Sequence, residues 1–223
     1  MNKNIKRFLL CAGVLALTLG GCGSKDEPKE EVKKEEKAVL VKNDLYVEPL
    51  NPTELQIRAY NELSTSVQEE NYAKEAEMAA VSFALDFFTM SNKSGSEDVG
   101  GMSFIPTTMS WEFKEYAQSY YYNNYNYIVN EEGKDALPEV VDYKVNSVTE
   151  GVYTYLGEQY NGYDVTLQLT YKEGGLKAED LKTEMVLHMI GINDFKYDCT
   201  KVYKDYTDFE GERYNTYKVL SME

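Results

Sequence analysis

The chain has 223 residues, with 38 acidic against 23 basic side chains and a formal charge of −15. Such a balance disfavours nucleic acid and anionic lipid as partners, because both need a basic face. With a single histidine, His188, no multi-histidine metal site can form.

The chain opens like an export signal. Lys3, Lys6 and Arg7 form a positive patch, Phe8 to Leu19 is almost wholly apolar, and Gly20-Gly21-Cys22 closes the segment with small residues. An apolar run of about twelve residues makes roughly 18 Å of helix. That is short of the ~30 Å core of a bilayer, so it is read as a signal and not as a span. Leu19-Gly20-Gly21-Cys22 resembles the lipobox of bacterial lipoproteins; the bland alternative is an ordinary secretory signal with an incidental cysteine. The resemblance implies removal of residues 1–21, a diacylglycerol thioether on Cys22, and residence at the extracytoplasmic face of the cell membrane. The Lys- and Asn-rich leader and Gly23-Ser24-Lys25 lean toward a single-membrane host. Each buried methylene contributes about 0.8 kcal/mol, so two acyl chains hold where one is marginal.

Removing residues 1–21 takes away three basic and no acidic residues, leaving 20 against 38, a formal −18. Cys11 leaves with the signal, and Cys199 is then the only free thiol, so internal disulfides and thiolate metal sites are excluded. Residues 22–44 read as a linker. Gly23 to Lys37 has Val32 as its only sizeable apolar side chain and cannot offset its ordering entropy, so it is expected to stay disordered and to reach about 50 Å. Residues 45–223 are left for a single domain, which must rely on its own core.

Thr53 to Val67 is predicted as a helix, capped by Thr53, with Leu55, Tyr60, Leu63 and Val67 near helical spacing. Tyr72 to Met90 is a stronger helix, with Tyr72, Ala76, Ala79, Ala80, Phe83, Phe87 and Met90 on one face. After loops at Ser94-Gly95-Ser96 and Gly100-Gly101, a third helix is expected over Thr108 to Val129. From Leu137 the period changes to two: Val141, Tyr143, Val145, Val148; Val165, Leu167, Leu169, Tyr171; Met185, Leu187, Met189; Phe195, Tyr197, Cys199. Gly151, Asn161-Gly162, Gly174-Gly175 and Asn193-Asp194 are read as the turns between strands. Tyr206 to Glu223 adds either an edge strand or a tail. Helices first and strands second predict an α+β domain, with helices packed on a curved antiparallel sheet of about four to six strands.

That order resembles the NTF2-like cone, in which helices fill the concavity of a bent antiparallel sheet. More narrowly, Asp86-Phe-Phe-Thr-Met-Ser-Asn-Lys93 and Asp98-Val-Gly-Gly-Met-Ser-Phe-Ile-Pro106 resemble segments of uncharacterised Firmicutes lipoproteins. The cone resemblance implies an interior pocket, which some relatives use as lyases or isomerases and others as parts of envelope and conjugation assemblies. A shared fold does not carry function across.

Asp86, beside the apolar stripe of the second helix, is the candidate base of such a pocket. Its competing reading is a helix-edge carboxylate bonded to a lysine or a backbone amide. His188 lies between Leu187 and Met189 in a strand and so should face away from both; no spacing ties it to Asp86. Tyr116, Tyr120, Tyr121, Tyr122, Tyr125 and Tyr127 cluster with Asn123, Asn124 and Asn126, and Trp111 lies just before them. Tyrosine has a rigid apolar body with a polar tip, which suits binding surfaces and sugar stacking. Trp111, Tyr116 and Tyr120 are therefore the candidate ligand contacts, against the alternative of a plain amphipathic core. Phosphate-binding glycine patterns, a nucleophile elbow and calcium-loop spacing do not occur, so no cofactor or metal is implied. The expected function is a membrane-anchored, non-enzymatic binding or accessory lipoprotein; the alternatives are a lyase or isomerase using Asp86 and an envelope scaffold.

Overall fold

The computed structural model describes residues 38–173, 176 and 178–223. Cys22, the signal and the spacer up to Lys37 lie outside the described residues. Among these residues four α-helices come first, α1 (Glu54–Gln68), α2 (Tyr72–Phe88), α3 (Ser110–Tyr120) and α4 (Tyr125–Glu132). Four strands follow, β1 (Val140–Tyr155), β2 (Glu158–Tyr171), β3 (Glu184–Phe195) and β4 (Arg213–Met222). The domain is α+β, and its strands form one antiparallel sheet in the order β1-β2-β3-β4.

α1 begins where its sequence says it should. The Gln56 amide donates to Thr53 Oγ1 at 3.3 Å and the Thr53 amide donates to Gln56 Oε1 at 2.8 Å, a reciprocal capping box that satisfies two otherwise orphaned donors. Residues 39–43, assigned above to the linker, are tied to this helix: the Val41 amide donates to Asn61 Oδ1 at 2.7 Å and Asn43 Nδ2 donates to Ser64 Oγ at 2.8 Å.

α2 is the centre of the fold. It packs against α1 and touches all four strands. Twelve of its residues are buried, so it is apolar almost all round, the pattern of a core helix. Ala76, Ala79, Ala80 and Ala84 let its backbone approach the neighbouring layers, while Phe83 and Phe87 stack at 5.5 Å and Phe87 meets Phe88 edge-on at 4.9 Å. Each such ring contributes about 1.5–3 kcal/mol by leaving water. From the sheet, Val165, Leu167, Leu169, Met185, Leu187 and Met189 complete the same core.

Register shifts interrupt β1 between Val140 and Asp142 and between Val145 and Ser147, and β3–β4 pairing between His188 and Met189. Bulges of this kind bend and twist a sheet. The first explains a departure from simple alternation: Val140 is buried and Val141, expected inward, is exposed. At the other edge, Tyr46 ties β4 to α2, accepting from the Tyr217 amide at 2.8 Å and donating to the buried Glu75 at 2.7 Å. Burial pushes the Glu75 carboxyl up and the Tyr46 phenol well up.

Three expectations need correction. The third helix is broken at Tyr121–Asn124, because the fully buried Tyr122 ring is drawn inward and Asn123-Asn124 are turn formers. The β1–β2 turn lies at Leu156-Gly157, both with positive φ (51° and 84°), and not at Gly151 or Asn161-Gly162. Those two glycines face each other inside the strands under the Tyr153 ring, and a Cβ on Gly162 would sit 1.8 Å from the Met189 carbonyl oxygen. Finally, Asn193-Asp194 is no turn: β3 runs through it to Phe195, and Tyr197 leaves the sheet to join Tyr203 and Phe209 in an aromatic cluster. The C-terminal stretch supplies β4, the edge strand.

Candidate functional site

Asp86 sits on the last turn of α2 with both oxygens engaged. Oδ1 pairs with Lys93, whose side chain is only 5% exposed, and Oδ2 accepts from the Gly101 amide at 2.6 Å. The carboxylate therefore brackets the loop from Lys93 to Gly101 against the helix that precedes it. Glycine is required here twice over. A Cβ on Gly100 would lie 2.0 Å from the Asp86 carbonyl oxygen, and Gly101 adopts φ +74° with the Phe83 ring 2.7 Å from where its Cβ would be. Tyr122 closes the loop from the far side, donating to the Phe87 carbonyl at 2.6 Å and accepting from the Gly100 amide at 3.1 Å. Burial raises the Tyr122 phenol, so it remains a neutral donor. The segments 86–93 and 98–106 are thus the two sides of one bracket. The cavity beside Asp86, also lined by Lys93, Asp98 and Cys199, measures about 40 Å³, on the scale of water and not of a substrate.

His188 faces away from the core, as the alternation predicts, and its partner is Asp164 and not Asp86. Asp164 Oδ1 also accepts from the Tyr153 hydroxyl, and His188 Nε2 stands 3.4 Å from Glu223. Burial acts to raise the Asp164 carboxyl, but the hydrogen bonds from Tyr153 and His188 outweigh it and hold its pKa below the usual range. This chain of polar groups ties β1, β2, β3 and the residue after β4 across one face of the sheet.

The large opening lies elsewhere. A groove of about 630 Å³ runs between the α3–α4 corner and the described residues that lead into β3, Leu176 and Glu179 to Lys182. Phe88, Tyr120, Tyr121, Asn123 and Asn124 line one wall, and Tyr171, Asp180 and Lys182 stand on the other. The break in the predicted third helix creates it: with Tyr122 drawn inward, Tyr120 and Tyr121 are left at the mouth. Tyr121 packs against Phe87 at 5.0 Å and Phe88 at 5.9 Å, which fixes its ring. Tyr116 continues the shelf outward, 4.6 Å from Tyr120 and 6.1 Å from Tyr121. Across the groove, the Tyr171 hydroxyl donates to the Lys182 carbonyl at 2.9 Å and so holds the opposite wall. Burial raises the phenols of both Tyr121 and Tyr171.

Of the three candidate aromatic contacts, the structure brings Tyr116 and Tyr120 together and places Trp111 apart, exposed near the start of α3 and outside the groove lining. Sequence reasoning did not single out Tyr171, Asp180 or Lys182. The one available hint was the polar stretch between the second and third strands, too long for a tight turn. No helix among the described residues is long and apolar enough to cross a membrane. Neither a protein-family model, nor a curated protein, nor a solved structure matches the chain.

Proposed function

We propose that this protein is a lipid-anchored binding module of the cell envelope, tethered through Cys22 and taking its ligand in the tyrosine–asparagine groove. The observation that carries this reading is the groove itself. Its 630 Å³ falls in the range of ligand sites, and the Tyr121 ring is held in place by packing before any ligand arrives. The lipobox-like segment and the charged spacer support the tether. The order of helices and strands, the central α2 and the bulged sheet support an NTF2-like cone as the fold. The lyase or isomerase reading lacks comparable support, since Asp86 has both oxygens bonded and only a water-sized cavity beside it.

Native mass spectrometry of the lipidated protein, extracted from its own envelope, tests the binding reading. A retained species should be present in the native chain and lost from a Tyr120→Ala/Asn124→Ala double variant. Retention by both, or by neither, counts against it. The tether is tested separately by metabolic labelling with a palmitate analogue, which should mark the native chain and not the Cys22→Ala variant.

A further inference from the structure

Resting on that reading, we infer that the groove between the α3–α4 corner and the β2–β3 connection takes an uncharged oligosaccharide, stacked on Tyr120 and Tyr121 and hydrogen-bonded by Asn123, Asn124 and Asp180. Three features of the groove argue for this class. The first is the aromatic shelf. Tyr120 is 69% exposed and packs at a tilt against Tyr116, and Tyr121 meets Phe87 and Phe88 edge-on, so the two rings offer their surface at little ordering cost. A sugar ring with equatorial hydroxyls offers a flat apolar face of C–H groups that matches them.

The second feature is the polar complement. The side chains of Asn123, Asn124 and Asp180 line the groove and make no hydrogen bond to other described residues. An apolar helix laid in the groove would strip water from these groups and return nothing, which costs free energy. Hydroxyl groups around a sugar ring return donors to the carboxylate and both donors and acceptors to the amides. An extended peptide seeking main-chain pairing would find a helix corner and a short 3-10 turn here, not an open strand edge. The third is charge. Asp180 is offset on the groove wall by Lys182, so the wall offers no cationic cradle for an anion, and the chain as a whole is strongly acidic, which disfavours anionic polymers. The groove volume also suits a few linked rings better than one.

The test is titration of the folded chain with cellotetraose and chitotetraose, with a tetramer of galacturonic acid as the anionic arm and an alanine-rich extended peptide as the other. The expected result is saturable binding of one or both neutral tetramers, with the anionic sugar and the peptide silent. Tyr120→Ala should weaken that binding about tenfold, the effect of losing one stacking ring, and Tyr120→Phe should retain it. Asn124→Ala should weaken it too; Asn124 makes no side-chain cap bond to α4, so the helix is not at risk. Trp111→Ala, outside the groove, should leave affinity unchanged. The inference is overturned if neither neutral tetramer binds, or if binding ignores Tyr120→Ala and Asn124→Ala. Should the peptide bind in a Tyr120-dependent manner, the sugar assignment falls while the groove keeps its binding role. If neither neutral tetramer binds and native mass spectrometry retains nothing, both fall.

Discussion

The loop after α2 and the corner between α3 and α4 share one aromatic cluster, with Phe87 in contact with Phe83 on one side and Tyr121 on the other. They treat polar groups in opposite ways. At the loop, Asp86, Lys93, Tyr122 and the Gly100 and Gly101 amides bond to one another or to nearby backbone, and the space left is about 40 Å³. At the corner, Asn123 and Asn124 are left to solvent beside fixed rings, and the space is about 630 Å³. Polar groups that satisfy each other serve the fold, and exposed groups beside an apolar surface are satisfied by water and stay free to exchange it for a ligand. Asp86 was the most tempting catalytic candidate in the sequence, and its geometry is that of a structural bracket.

Four measurements break or sharpen this contrast. The largest effect is expected from Asp86→Ala, which strands the buried Lys93 and the Gly101 amide; urea denaturation should show a loss of about 4 kcal/mol. Asp86→Asn should recover part of it by keeping an acceptor for Gly101. A loss below about 1 kcal/mol would show that the bracket contributes no more than an exposed ion pair.

Next comes Lys218, another polar group satisfied within the fold, 3% exposed and donating to the Ser103 carbonyl at 2.6 Å. Burial pushes its pKa down to about 8, with the Asp194 charge acting in the opposite direction. Between pH 8 and 10 the unfolded chain therefore holds a proton that the folded chain has released, and stability rises with pH, by about 3 kcal/mol from this group. Above pH 10 the sign reverses. Tyr60 and Tyr143, each pushed up to about 12 chiefly by burial, keep protons in the folded state that the unfolded chain loses. Denaturation across this range should show a maximum near pH 10, and Lys218→Met should abolish the rising limb alone. A native profile flat from pH 8 to 10 would refute the account of Lys218.

Tyr122→Phe should cost about 2 kcal/mol, because it leaves the Phe87 carbonyl and the Gly100 amide unpaired in a buried position. Two positions earlier in the chain, Tyr120→Ala should change thermal stability by no more than about 0.5 kcal/mol, since its ring lies outside the core. If Tyr120 proved as costly as Tyr122, the groove wall would be part of the core and the contrast would disappear.

Much of the scaffold was legible because it depends on near neighbours. Thr53 and Gln56 are three residues apart, and their capping box was half visible in the sequence as Thr53 alone. The three- and four-residue spacing of α2, the alternation of Val165, Leu167 and Leu169, and the outward face of His188 are all periodic properties of short segments. The groove was half legible. Tyr116 and Tyr120 were drawn out by composition, but Tyr171 and Asp180 come from another part of the chain, and no local pattern assigns them to the same opening. Glycine was misread for a related reason. Gly151 and Gly162 look like turn residues, but what they accommodate is the Tyr153 ring and the Met189 carbonyl on the next strand.

The order of helices and strands, the acidity of the chain, the exclusion of multi-histidine metal sites and the cap of α1 follow from the sequence alone, because each rests on composition or on residues within one turn of each other. Only the tertiary structure decided where the third helix breaks, which groups hold Asp86, and which tyrosines face the groove. Those outcomes depend on a buried ring seeking hydrogen-bond partners 22 and 35 residues away, at Gly100 and Phe87. Burial creates that demand, and burial is a property of the packed chain as a whole.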